Sequence, residues 1–388
     1  MSKSSPQAVL ILGIILVSIN LRTSIASVGP LIPFIREDLG ISNGLAGFLT
    51  TLSLLTFAVF SLFAPSIGKR LGHGKAIFLG IFLLLLGVVI RTLGGIELLY
   101  FGTALTGIGI VIANVLMIPF FKAKLPEKIG LLTAILTTGM SLLAAIASGV
   151  SVPMAVDLGW GWRGSLASWS VLMVLALAVW IPQLKPPRTG SQTALLPAKN
   201  VWKSRLAWQV TLFMGAQSVM YFTLITWLPD MLIARGMSPV KAGIFLSYMQ
   251  LISLIGTFFV PGMLIKLKEQ SNVILIVGIG YVLGYGALFV HNDAVTFAAL
   301  TIIGVGSGAS LSIAYTLISL RSSEDLTTAK LSGMVQSAGY VLAAAGPLIF
   351  GISMDVFGDW NFLIWFLLLM TLQFLGFGLP AGRDKKIE

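Results

Sequence analysis

Cysteine is absent from this 388-residue chain, which excludes a disulfide frame, thiol chemistry and thiolate metal sites. Histidine is nearly absent, and the two present, His73 and His291, fall in predicted loops. Charge is scarce as well: Asp, Glu, Lys and Arg make up 10% of the residues, where a soluble domain carries about 25%. Acid is the scarcer sign, with 14 Asp and Glu against 25 Lys and Arg. No His–carboxylate cluster, metal-ligand spacing or nucleophile elbow occurs in the apolar runs, and no Ser or Thr has an evident base. The G-x-G spacings follow no predicted strand, so a dinucleotide reading fails on context. These absences argue against an enzyme, a metal site and a bound cofactor.

Apolar residues dominate what is present: 56% of the chain is hydrophobic, and the mean hydropathy is +0.96. The pattern is that of an integral membrane protein of the helical kind. Barrel strands would alternate over about 10 residues, whereas apolar runs of about 20 recur here. Twelve such runs are predicted to span, at 8–36, 43–66, 75–93, 97–121, 129–155, 163–183, 206–234, 239–265, 272–290, 294–319, 328–353 and 360–380. The first lacks a small-residue cleavage site and reads as a spanning helix, not a removed signal. The longest connection, 184–205, contains K-P-P-R-T-G-S-Q-T. It divides an N-terminal six-helix bundle, 1–183, from a C-terminal one, 206–388.

The basic residues set the orientation. With the N-terminus inside, nineteen Lys and Arg fall in inner loops and five in outer ones (Arg36, Arg91, Arg163, Arg235, Lys241). Both termini are thus expected in the cytoplasm, the linker with them. The same spread argues against nucleic acid, since the positive charge of +11 is not gathered into a patch.

The halves repeat. Pro33, Gly40, Ser42, Ala46 and Gly47 match Pro229, Gly236, Ser238, Ala242 and Gly243 at an offset of 196, and Pro65 matches Pro261 at the same offset. Asp157 with Trp162 is answered by Asp355 with Trp360. An offset of six helices means two halves in parallel orientation, related by an axis along the membrane normal.

Arg22 stands near the middle of the first run, with no Asp or Glu in the same span. An ionised guanidinium there costs on the order of 3 kcal/mol or more, and such residues face wet cavities and carry function. Ser18, Ala26 and Gly29 share its helical face, while Asn20, Thr23 and Ser27 form a second polar stripe. At the repeat offset Arg22 corresponds to Ser218, so the charge is one-sided. Further polar residues lie deep in predicted spans: Asn114, Gln217, Tyr221, Tyr248, Gln250, Tyr315, Gln336 and Tyr340. For each, the plain alternative is an interhelical hydrogen bond worth roughly 0.6 kcal/mol. Gly102, Gly107, Gly109, Gly304, Gly306 and Gly308 suit close helix contact. Gly346-Pro347 is expected to bend its helix.

The twelve-span duplicated plan resembles the major facilitator superfamily over essentially the whole chain. The segment G-K-R-L-G-H-G-K at 68–75 resembles the superfamily's basic loop between helices two and three, and Gly68, Arg70, Gly72 and Lys75 take its gating positions. Lys69 stands where an Asp is usual, so the gating contact of that Asp does not carry over. N-L-R-T-S-I-A-S-V-G-P at 20–30, G-W-R-G-S-L-A-S-W at 161–169 and L-S-G-M-V-Q-S-A-G-Y-V-L-A-A-A-G-P-L-I-F-G at 331–351 look like the cyanate permease subgroup, which includes nitroimidazole permeases. The resemblance implies an all-α membrane protein, with twelve transmembrane helices in two pseudo-symmetric six-helix bundles. It also implies a monomer in the bacterial plasma membrane that needs no cofactor.

The expected function is secondary active transport of a small anionic solute, cyanate-like or a small carboxylate, by alternating access. Arg22 would supply a planar fork suited to such an anion. Asn20, Asn114, Gln217, Tyr221, Tyr248, Tyr315, Gln336 and Tyr340 would add hydrogen bonds and aromatic walls. The alternatives are export of neutral aromatic, drug-like compounds such as nitroimidazoles, and a non-transporting receptor or scaffold. The last would predict a large soluble segment, and only short loops are present.

Overall fold

The computed structural model describes residues 6–184, 200–322 and 325–387. The described residues form fourteen α-helices and no strand. In the first half these are α1 (Pro6–Ala26), α2 (Ile32–Leu39), α3 (Asn43–Leu71), α4 (His73–Ile90), α5 (Ile96–Lys124), α6 (Ile129–Val156), α7 (Gly161–Ser168) and α8 (Ser170–Trp180). The second half holds α9 (Arg205–Ala234), α10 (Pro239–Leu264), α11 (Ser271–Ala287), α12 (Asp293–Leu320), α13 (Asp325–Phe357) and α14 (Asn361–Ala381). Residues 185–199, most of the expected linker, lie outside the described residues, as do Lys3 and the other masked positions of the inner basic set.

Among the described residues eleven helical segments are long and apolar enough to cross a bilayer, and α11 is a shorter apolar helix of 17 residues. The fold is thus the expected twelve-span one, in two six-helix bundles. Two spans differ from the continuous helices expected. The first breaks after Ala26, and Gly29–Leu31 forms a single 3₁₀ turn before α2. Pro30 and Pro33 have no N–H to offer the helix, which accounts for the break. The sixth is divided at Trp169 into α7 and α8. By contrast, α13 runs unbroken through Gly346-Pro347. There Trp227 donates its indole N–H to the Pro347 carbonyl at 3.0 Å. Side-chain caps start α9 at Ser204, α10 at Ser238 and α12 at Asn292.

The chain forms two compact units. One holds α1, α2, the part of α3 from Leu55 onward, and α4–α8. Inside it α1 packs on α6 and α8, and α4 packs along α5. The α4–α5 approach is so close that a Cβ at Gly87 would lie 2.5 Å from the Gly102 carbonyl, and one at Gly109 2.4 Å from the Gly80 carbonyl. Only glycine allows backbones that near.

The other unit holds α9–α14 and also Ile41–Leu54. The sequence boundary at 183–206 therefore does not coincide with the packing boundary: the first turns of α3 belong with the second half. Small residues make this possible. A Cβ at Gly47 would sit 2.3 Å from the Pro347 carbonyl, and one at Gly351 2.5 Å from the Asn43 carbonyl. Thr51 donates to the Ala344 carbonyl at 2.6 Å, and Thr226 donates to Thr50 at 3.0 Å. Within this unit α9 is the central helix, nearly all of it buried against α13, α14, α10 and α12.

Candidate functional site

In the first unit α1 carries Arg22 midway along the Gln7–Leu39 span. Leu21, Thr23 and Ser24 around it are fully buried, while Arg22 itself is half-buried. The sequence places it on the more open side of the helix, with Ile19, Ile25 and Val28, which are also half-buried. Ser18, on the same face by spacing, instead packs under Gly139 of α6 and donates to the Ile14 carbonyl at 2.6 Å. The polar stripe turns into the unit. Asn20 donates to the Leu16 carbonyl at 2.7 Å and to Leu172 of α8 at 3.2 Å, and its Oδ1 is buried without a partner among the described residues. Thr23 donates to the Ile19 carbonyl. Asn114 of α5 is half-buried.

In the second unit Gln217 and Tyr221 lie one turn apart on α9, and Gln336 and Tyr340 one turn apart on α13, which packs against it. The Phe222 ring lies 5.2 Å from Tyr221 and 6.4 Å from Tyr340, both edge-on. Gln217 donates its amide N–H groups to Ser218 Oγ at 2.7 Å and Met214 Sδ at 3.2 Å. Gln336 donates to Ser332 Oγ at 3.1 Å. Tyr248 and Tyr315 are elsewhere in the unit. The Tyr248 hydroxyl pairs with Thr301 Oγ1 at 2.8 Å and its ring stacks on Phe297 at 4.1 Å, which ties α10 to α12. Tyr315 is 44% exposed on α12.

The basic loop is a one-residue connection. Gly72 joins α3 to α4 with φ +83°, a conformation that favours glycine. Its N–H bonds the Gly68 carbonyl at 2.9 Å, and its own carbonyl accepts from Ala76 at 3.0 Å. Gly68 is buried against Leu116, while Lys69, Arg70 and Lys75 are exposed.

Sequence reasoning missed three arrangements. Arg91, counted among outer loop charges, is 1% exposed and lies in the interior of the first unit. It donates to the Ser24 carbonyl at 2.9 Å, while its Nε and second terminal nitrogen have no partner among the described residues. Its place one residue beyond α4, in an R-T-L-G-G loop, carried no sign of this. Asp38 accepts from Trp162 Nε1 at 3.1 Å and from Arg163 at 2.5 Å, joining α2 to α7. Arg235 in the second unit donates to the Leu288 carbonyl and to Asn361 Oδ1, joining the ends of α9 and α11 to the start of α14. No group of three or more His, Asp and Glu able to hold a metal occurs among the described residues.

A family model described as the Major Facilitator Superfamily matches residues 10–347. An uncharacterized transporter, YycB, of Bacillus subtilis (strain 168) is 44% identical over 97% of this chain and 94% of its own length. The 2-nitroimidazole transporter of Escherichia coli (strain K12) is 36% identical over 98% of this chain and 97% of its own. The cyanate transport protein CynX of the same organism is 26% identical over 94% and 97% respectively. With its twelve apolar helices in two repeated bundles, the chain belongs to the major facilitator superfamily, as a multi-pass membrane transporter of the group that holds the 2-nitroimidazole and CynX proteins.

Proposed function

We propose that this protein moves a small anionic solute across the bacterial plasma membrane by alternating access, with Arg22 as the anion-binding charge. The observation that carries the reading is a guanidinium midway along an apolar span, half-buried where its sequence neighbours are fully buried. Charges at that depth face wet cavities and carry function, and an anion is a ligand that such a guanidinium can bind. The planar fork suits a carboxylate or a cyanate-like ion. The Gln217, Tyr221, Gln336 and Tyr340 group of α9 and α13 adds amide and aromatic contacts, and Asn20, Asn114, Tyr248 and Tyr315 remain in the proposed set. The Gly68–Lys75 loop serves as the cytoplasmic gating loop, and both termini lie in the cytoplasm. The protein acts as a monomer.

Uptake of a panel of small anions into vesicles holding the purified protein tests this reading. Saturable uptake of at least one, lost in Arg22→Ala, is the expected result. Uptake that does not depend on Arg22 would overturn it.

A second reading, export of neutral aromatic compounds, is favoured by the ring cluster of Tyr221, Phe222 and Tyr340 and by the 36% identity to a 2-nitroimidazole transporter. Transport of a nitroimidazole unaffected by Arg22→Ala would support it over the first.

A further inference from the structure

At one end of the second unit α9 stops at Ala234, while α10 and α12 begin at Pro239 and Asp293. Between them lies a recess of about 190 Å³, several times the share of one water. Its lining includes both helix caps, Ser238 and Asn292, so the positive ends of two long helices open onto it. Arg235 and Lys241 are cationic members of the lining, and Asp293 is its acid.

The hydrogen-bonding groups of this lining are unbalanced. Its acceptors are largely spent. Ser238 Oγ accepts from the Lys241 backbone N–H at 3.4 Å. Asn292 Oδ1 accepts from the N–H groups of Ala294 at 2.9 Å and Val295 at 3.2 Å. Asp293 accepts one N–H of the Lys241 ammonium. Donors are left over. An ammonium has three N–H groups and an amide two, so two on Lys241 and both on Asn292 stay open among the described residues. Thr296 adds a buried one. It is only 4% exposed, yet its hydroxyl makes no hydrogen bond among the described residues and is not among the atoms sealed from water. Buried polar groups are almost always satisfied, so a buried hydroxyl in the wall of a recess calls for a partner inside it. Arg235, held by the Leu288 carbonyl and Asn361 Oδ1, adds a fixed positive charge. His291, also in the lining, brings one donor and one acceptor as a neutral ring and leaves the balance unchanged. Open donors, a surplus of positive charge and two helix N-termini suit a ligand that is negative and accepts hydrogen bonds.

We propose that this recess binds a small free oxyanion, a phosphate or a carboxylate, with the Asn292 amide, the Thr296 hydroxyl and the Lys241 ammonium as its donors. The site lies wholly within the second unit and does not depend on the reading of Arg22.

The chain has no cysteine, so Met237→Cys places a unique thiol in the lining. The experiment follows its alkylation by N-ethylmaleimide in the purified full-length protein in detergent, with inorganic phosphate compared against chloride at equal pH and ionic strength. Melting curves check that each variant is folded. Phosphate is expected to slow alkylation several-fold, and to do so equally when Arg22→Ala is added. Lys268→Cys, exposed beyond the other end of α10, serves as the control and should react at the same rate in both salts. Asn292→Asp keeps a capping oxygen for α12 but replaces amide donors with a negative charge, so the protection should disappear. Thr296→Val should raise the phosphate needed for half-protection about fivefold, the worth of one hydrogen bond. Alkylation unaffected by phosphate in folded protein overturns the proposal, as does protection that survives Asn292→Asp. Protection lost in Arg22→Ala would place the anion elsewhere and overturns it too. Protection in phosphatidylglycerol nanodiscs without added phosphate would assign the recess to a lipid headgroup instead of a free anion.

Discussion

Asp355 accepts the backbone N–H of Gly44 at 2.7 Å, so the last turn of α13 caps the first turn of α3 across 311 residues of chain. The same carboxylate takes the Asn43 N–H and side-chain amide, each at 2.8 Å. The unpaired donors at a helix start are the positive end of its dipole, and an anionic side chain satisfies both their hydrogen bonds and their charge. This cap anchors Ile41–Leu54 to the second unit. Asp355→Ala is expected to lower stability by about 1 kcal/mol, as loss of an N-cap does. Melting curves in detergent would register this, and an unchanged curve would mean that the glycine and threonine contacts further along α3 suffice.

Arg22→Ala is expected to remove most solute affinity while the protein still folds and inserts. Arg22→Lys should restore little, because a compact ammonium does not reproduce the bidentate fork. Bound solute should raise the wild-type Tm, since any ligand that prefers the native state does so, and that shift should vanish in Arg22→Ala. A structural arginine would give the opposite pattern: poor yield of the mutant, with normal affinity in what survives.

Arg91 offers a contrast. It is 1% exposed, and among the described residues its side chain makes one hydrogen bond, to the Ser24 carbonyl. Replacing buried charges with apolar residues of similar volume is often neutral or stabilising, by about 1–4 kcal/mol. Arg91→Met should therefore raise the Tm or leave it unchanged. A strong fall in Tm would show that the guanidinium is held by interactions worth more than its desolvation.

Carboxylates give a further test. Glu37 and Asp38 are exposed near the end of the first span, and Asp230 is 4% exposed near the end of α9. No other Asp or Glu with a described side chain is buried. Changing each acidic residue singly to its amide should leave substrate exchange largely intact, because no carboxylate sits at mid-membrane. Loss of exchange in Asp230→Asn would identify a proton relay in α9.

The positive-inside bias gives the last expectation, cytoplasmic ends for the chain. A C-terminal tag should resist protease added to intact cells and be cleaved once the membrane is opened. Cleavage in intact cells would reverse the orientation.

Periodicity and composition alone reached the helical class, the twelve spans and the duplication, because a bilayer forces long apolar segments and satisfied backbones. The depth of Arg22 in its run was equally legible, since position along a helix is linear in sequence. Side-chain direction was not. That Asn20 donates to Leu172 of α8, and that Tyr248 pairs with Thr301, is not written in the sequence. Arg91 reads as a loop charge because its burial depends on how α1, α4 and α5 close over it. The assignment of Ile41–Leu54 to the second unit is likewise tertiary, set by Gly47, Gly351 and the Asp355 cap. A sequence records which groups are available along each helix. Which of them are consumed by a neighbour, as both N–H groups of Gln217 are, is decided when helices distant in the chain pack together.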